Sequence, residues 1–184
     1  MPSGSTHDRI TLWILAPIAT ICWLLTESGE LTLIVSGSFL FSGLMFGPDL
    51  DTHSRQFKRW GRLKSIWLPY QKLLRHRSIF SHGFWIGTIL RVCYLFVFLS
   101  LISVFTVALG QAIFGFHWNW QEFIKNSIAL LTREYKDIAI ATLVGLELGS
   151  LSHILSDTIC SSYKKSQKSS RNSSARKSAH RKKK

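Results

Sequence analysis

VCYLFVFLSLISVFTVAL, residues 92–109, is an 18-residue run with no charge and no polar face. Helices buried inside a soluble α-bundle would also look apolar all round. The length of this run favours a bilayer instead, by the hydropathy criterion. With its flanks the apolar span covers 84–109, with one charge, Arg91, near its start. A bilayer core takes about 20 residues of helix, so this span crosses easily.

Working outward, three more apolar spans appear. Residues 12–25 are apolar apart from Thr20 and Pro17. Residues 31–47 follow and end at Gly47-Pro48. Each is short alone. Together they read as a helical hairpin turned at ESGE, where Glu27, Gly29 and Glu30 mark the bend. The last span, 138–158, carries Glu147, His153 and Asp157. The expectation is an all-α polytopic membrane protein with about four transmembrane helices.

Charge sets the orientation. The net charge is +13, and ten of the 23 Lys and Arg lie in residues 164–184, which contain no Asp, Glu or large apolar residue. That composition cannot offset the entropy of ordering, so the chain divides into a helical domain, 1–163, and a disordered polybasic tail, 164–184. The 49–81 segment is also strongly basic, whereas the ESGE turn is acidic and 110–137 is balanced. The positive-inside rule then puts both termini in the cytoplasm. No cleavable-looking signal peptide is read at the N-terminus. Trp13, Trp23, Trp67, Trp85, Trp118 and Trp120 fall near span ends or in loops, as interfacial anchors do. Apolar residues recur at helical spacing from Trp120 to Leu131, which suggests an amphipathic helix on the outer surface. Cys22, Cys93 and Cys160 are far apart and form no CxxC, so neither a disulfide framework nor a zinc finger is indicated.

Metal-ligand residue types gather at one side of these spans. His153 and Asp157, four apart on a helix, share a face and can grip one divalent ion. Ionisable groups inside an apolar span are costly and usually functional. Glu147, lower on the same helix, is read as an outer-sphere acceptor or as the partner of Arg91. His76 and His82 are six apart, so they meet only if the chain bends between them. Ser81 is read as the N-cap of the third span. Asp49 and Asp51 follow Pro48, and an extended D-x-D would point both carboxylates the same way. His7 and Asp8 stand just before the first span, on the same side. With alternating helix directions, all these clusters reach the cytoplasmic face. For each there is a plain alternative: helix caps, turn aspartates and interfacial histidines.

The order PDLD, HRSIFSH, SHILSD on apolar helices resembles an uncharacterised family of membrane-bound proteins regarded as metal-dependent hydrolases, a broad group that includes the bacterial inner-membrane LexA-binding hydrolases. The opening MPSGSTHDRITL is similar to a subset described as uncharacterised metal-binding membrane proteins. The resemblance covers about 1–160. It implies His7, Asp49, Asp51, His76, His82, His153 and Asp157 as metal-site residues. It also implies a bacterial-type inner membrane and supports metal binding more strongly than catalysis.

The function expected is a metal-dependent hydrolase at the cytoplasmic face. Zinc is the first choice of ion, with manganese or iron as alternatives. A spare carboxylate, Asp51, would act as general base. Arg55, Arg75 and Arg77 near the site suit an anionic phosphoester or a lipid head group. No serine-nucleophile motif, P-loop or dinucleotide fingerprint competes. The alternative is a non-catalytic membrane protein with a structural or regulatory metal, or a metal carrier. Its partners would be membrane lipids, and the tail would hold anionic lipid or, less favoured, nucleic acid.

Overall fold

The structure is a computed structural model describing residues 4–74 and 78–181, with side chains described as far as Gln167. Long helices dominate. Helix α1 spans Gly4–Thr26 and α2 spans Gly29–Leu44. Three short helices follow: α3, Arg55–Arg59; α4, Leu68–Leu73; and α5, Ile79–His82. Helix α6 runs Ile86–Phe114, α7 Trp120–Ala129 and α8 Lys136–Arg181. Four segments are long and apolar enough to cross a bilayer: Gly4–Thr26, Gly29–Asp51, Ile86–Phe114 and Lys136–Gln167.

The turn between α1 and α2 falls at the expected ESGE bend. Glu27 takes the positive φ, +49°, and Gly29 opens α2. Ser28 caps α2 by accepting the Leu31 N–H at 3.3 Å. The cap residue therefore sets the corner, and Gly29 is spent inside the helix.

Helix α2 packs along α8, and α1 along α2. The α2–α8 approach depends on two glycines four apart. A Cβ on Gly145 would lie 2.5 Å from the Val35 carbonyl oxygen, and one on Gly149 would lie 2.6 Å from that of Phe39. Small residues at this spacing let helix backbones come close where lipid offers no hydrophobic drive. Gly145, Gly149, His153 and Asp157 follow one another every four residues. The packing stripe therefore leads directly into two of the expected ligands.

The basic 49–81 segment is a folded cap rather than an open loop over the part described. Phe46, Leu50, Phe57, Trp67, Tyr70 and Leu146 form its core. Trp67, expected at an interface, is fully buried. Its ring meets Phe46, Trp60, Tyr70 and Tyr94 at centroid distances of 5.6, 5.1, 5.5 and 5.6 Å. Aromatic pairs at such separations add stability beyond their buried area. Burial pushes the Tyr70 hydroxyl up to about 12. The other five tryptophans singled out stay partly or fully exposed.

Helix α8 continues to Arg181, through the segment expected to be disordered. Residues 164–184 contain no Gly or Pro. Nothing in them stops a helix that has already begun, and cations suit its C-terminal end. The expected amphipathic helix is α7. Asn119 caps it, accepting the Glu122 N–H at 3.1 Å, and none of its residues is buried.

Candidate metal centre

The site forms where α1 begins, α2 ends, α5 lies and α8 passes. His7 is one turn into α1 and is buried. Its ring stacks on that of His153, with centroids 3.9 Å apart and planes 18° from parallel. His7 Nε2 lies 3.3 Å from Asp157 Oδ1. Donor atoms of His7, His153 and Asp157 all fall within 4.8 Å of one another, and all three residues are buried. His153 Nε2 lies 3.2 Å from Asp49 Oδ2.

Hydrogen bonding fixes the His7 tautomer. The Ser156 hydroxyl donates to the His153 carbonyl oxygen at 2.8 Å. With its single proton so placed, the hydroxyl oxygen would accept from His7 Nδ1–H, 2.6 Å away. The lone pair is left on Nε2, facing Asp157. Ligating histidines are commonly held this way, through the nitrogen that does not bind.

Asp49 is set by a turn other than the one expected. Pro48–Asp51 is a 3-10 turn, not extended chain. The two carboxylates approach the His82 ring from its two nitrogens instead of lying side by side on an extended chain. The Asp49 carbonyl oxygen accepts the hydroxyls of Ser54 and Thr52 at 2.8 and 3.2 Å. Gln71 Nε2 donates to the carbonyls of Leu50 and Thr52, each at 3.0 Å. So anchored, Asp49 sends Oδ2 toward His153 and Oδ1 toward His82 Nε2, at 3.9 Å. Asp51 reaches the other side of the same ring, with Oδ2 3.9 Å from His82 Nδ1.

His82 is positioned from within the helices. Ser81 does not cap α6. It sits in α5, and its Oγ lies 2.8 Å from His82 Nδ1. The residue before α6 is Trp85, at φ +60°, a strained value for a bulky side chain. Glu147 of α8 holds it, accepting the Trp85 N–H at 2.9 Å. Arg91, fully buried, donates to the Ser81 carbonyl at 3.0 Å, to Thr88 Oγ1 at 2.9 Å and to Ser150 Oγ at 2.7 Å. Glu147 contributes to the charge environment of Arg91. Among the described residues its hydrogen bond goes to Trp85, not to a ligand. The α5–α6 corner departs from a simple capped helix because α8 reaches over and ties it down.

The donor set fits a divalent ion. Among the described residues, neither nitrogen of His153 makes a hydrogen bond, although the ring is buried, and Asp157 Oδ1 and Asp49 Oδ1 make none either. Buried polar atoms left in this state are rare, and an ion is one explanation. Two donors on one tetrahedral ion at about 2.1 Å lie about 3.4 Å apart. The 3.3 Å and 3.2 Å separations match that edge. Imidazole with carboxylate suits zinc, and the carboxylates also accept manganese or iron.

A cavity of about 310 Å³ opens on His7, Asp49, His153 and Asp157, with Arg55 and Lys58 on its wall. A second, of about 330 Å³, is lined by His82, Asp157 and Thr158. Asp157 borders both. Asp8 stays outside the ligand group. It pairs with Arg55 at 2.9 Å and with Arg59 at 2.7 Å, stapling α1 to α3. Asp51 has a fully buried side chain and lines neither cavity. That position does not suit the water-activating base expected of it. His76, Arg75 and Arg77 lie outside the described residues. The other six expected ligands come together in one cluster. Ser156 and the Gly145–Gly149 stripe went unread in the sequence, and Ser81 was read only as a cap. The spacing GLELG was the available signal for the stripe.

Comparison with known proteins points to metal binding. An uncharacterized protein of Aquifex aeolicus (strain VF5) is 38% identical over 58 residues, covering 31% of this chain and 40% of that protein. The aligned stretch is thus less than half of that relative's length. No solved structure matches the chain. The model of one family, "Uncharacterized metal-binding protein (DUF2227)", matches residues 2–167, which takes in every residue of the site. The chain belongs to this family of metal-binding proteins.

Proposed function

We propose that the protein is a membrane-embedded, metal-dependent hydrolase acting on a phosphate-bearing substrate at the cytoplasmic face. The observation that carries this reading is the buried His7, His153 and Asp157 group, with the half-buried Asp49 beside it, opening onto a cavity walled by Arg55 and Lys58. The apolar spans and the basic 49–81 segment support the membrane and its orientation. The bacterial-type inner membrane follows from the family resemblance.

His7 and His153, with Asp157 and Asp49, would hold the ion. The ion supplies Lewis acidity toward a phosphoryl oxygen and lowers the pKa of water. Lys58 and Arg55 draw the phosphate oxygens into the cavity, although Asp8 shares the charge of Arg55. In the reaction, a water oxygen bonds to phosphorus and the ester P–O bond breaks. The alcohol leaves with one proton of that water. Asp8 is occupied by two arginines and Asp51 is shut away. Asp157 borders both cavities, and its carboxylate oxygen not turned to His7 would take that proton.

The test is hydrolysis of a chromogenic phosphodiester by detergent-solubilised protein loaded with Zn(II) or Mn(II), beside Lys58→Ala and His153→Ala. Turnover lost in His153→Ala and weakened substrate binding in Lys58→Ala are expected. Full metal content with no turnover on phosphodiester, phosphomonoester or phospholipid would leave a structural, regulatory or carrier metal as the function.

A further inference from the structure

Asp49 divides its carboxylate between two histidines on different elements. Oδ2 faces His153 of α8 at 3.2 Å, and Oδ1 faces His82 of α5 at 3.9 Å. We infer that Asp49 is shared by two cation positions, the first completed by His7, His153 and Asp157, the second formed by Asp49 Oδ1 and His82 Nε2. This rests on the metal-centre reading above and extends it.

Distances support the second position. Donors on one ion at about 2.1 Å cannot be more than about 4.2 Å apart, and the 3.9 Å between Asp49 Oδ1 and His82 Nε2 falls inside that limit. Asp49 Oδ1 is buried without a hydrogen bond. The far side of the His82 ring is already engaged. Ser81 Oγ lies 2.8 Å from Nδ1, and the buried Asp51 carboxylate is 3.9 Å from the same atom. A carboxylate behind one ring nitrogen favours the proton there and the lone pair on the other, the arrangement of carboxylate–histidine–metal triads. Asp51 adds negative charge on the Nδ1 side of His82 from 3.9 Å, away from both cavities.

The two positions differ in character. The first gathers two imidazoles and two carboxylates in a buried pocket. The second has two protein donors among the described residues and lies beside the cavity lined by His82. A position with few protein donors keeps waters and takes phosphate oxygens to complete its shell, as hard cations such as Mg(II) and Mn(II) do. Paired ions bridged in this way lie about 3.5–4 Å apart and clamp the attacking and leaving oxygens of a phosphoryl group. Arg91 and Glu147 enter here as positioning residues, because they fix the α5–α6 corner that carries His82.

The test is Mn(II) binding to the full chain in detergent, read by elemental analysis and by electron paramagnetic resonance. Wild type should saturate at two ions per chain, with the spectrum of a spin-coupled pair. His82→Gln should drop to one ion with an isolated six-line spectrum. Inorganic phosphate should tighten the weaker ion only. Wild type saturating at one ion would overturn the second position and leave the single-ion centre intact. His82→Gln retaining the coupled pair would overturn it as well. Wild type binding no ion would remove both readings. If His82→Gln fails to fold, the wild-type stoichiometry and spectrum still decide.

Discussion

The two ends of the helical bundle are built on different terms. At the end holding the site, α2 and α8 touch backbone to backbone through Gly145 and Gly149, and polar groups are buried in numbers: His7, Ser42, Asp51, Arg91, Glu147, Ser150, His153 and Asp157. At the other end, α6 shows Phe96, Leu101, Phe105, Ile113 and Phe114 to the outside, and α7 buries nothing. An apolar surface all round needs only a lipid environment. Buried polar groups need partners of fixed geometry, or each costs free energy. The difference locates the chemistry. One end is specified residue by residue, and the other by hydropathy alone.

Substitutions should sort accordingly. Arg91→Met should have the largest effect, because it strips the Ser81 carbonyl and two buried hydroxyls of their shared donor. A loss of about 3 kcal/mol is expected, measured as a drop in melting temperature in detergent. Gly149→Val should follow, at about 1–3 kcal/mol, as its side chain meets the Phe39 carbonyl. If Phe105→Ala at the other end costs as much as Gly149→Val, the contrast fails.

Ser156→Ala should leave the fold intact and weaken metal binding by about 10–100-fold, by releasing His7 Nδ1. Isothermal titration with Zn(II) reads this. An unchanged affinity would mean that the tautomer of His7 is not held by this serine. Asp8→Asn should cost at most about 1 kcal/mol, since Arg55 and Arg59 are partly exposed. Truncation after Gln167 should change neither melting nor metal content, because residues 168–184 hold no large apolar side chain to pack.

Much of this was visible in the sequence. His153 and Asp157 stand out because ionisable groups are conspicuous in an apolar run, and alternating helix directions carry them to the same end as Asp49, His82 and His7. What stayed hidden depends on contacts across the chain. Ser81 precedes an apolar run and reads as its cap. The real corner comes four residues later, because Glu147 and Arg91 reach it from elements 62 and ten residues away. Trp67 reads as an anchor because no local signal shows that four other aromatics converge on it. Asp49 and Asp51 read as an extended pair, and only the 3-10 turn, braced by Ser54 and Gln71, sets them at the two nitrogens of His82.

The central claim is that the ion sits at the polar end, on His153 and its neighbours. Metal content per chain, measured by elemental analysis on purified full-length wild type, His153→Ala and His117→Ala, tests it most directly. His117 is exposed at the opposite end, between α6 and α7. The account predicts that His117→Ala matches wild type and that His153→Ala loses the tightly bound ion. Wild-type content in His153→Ala, or loss in His117→Ala, would contradict it.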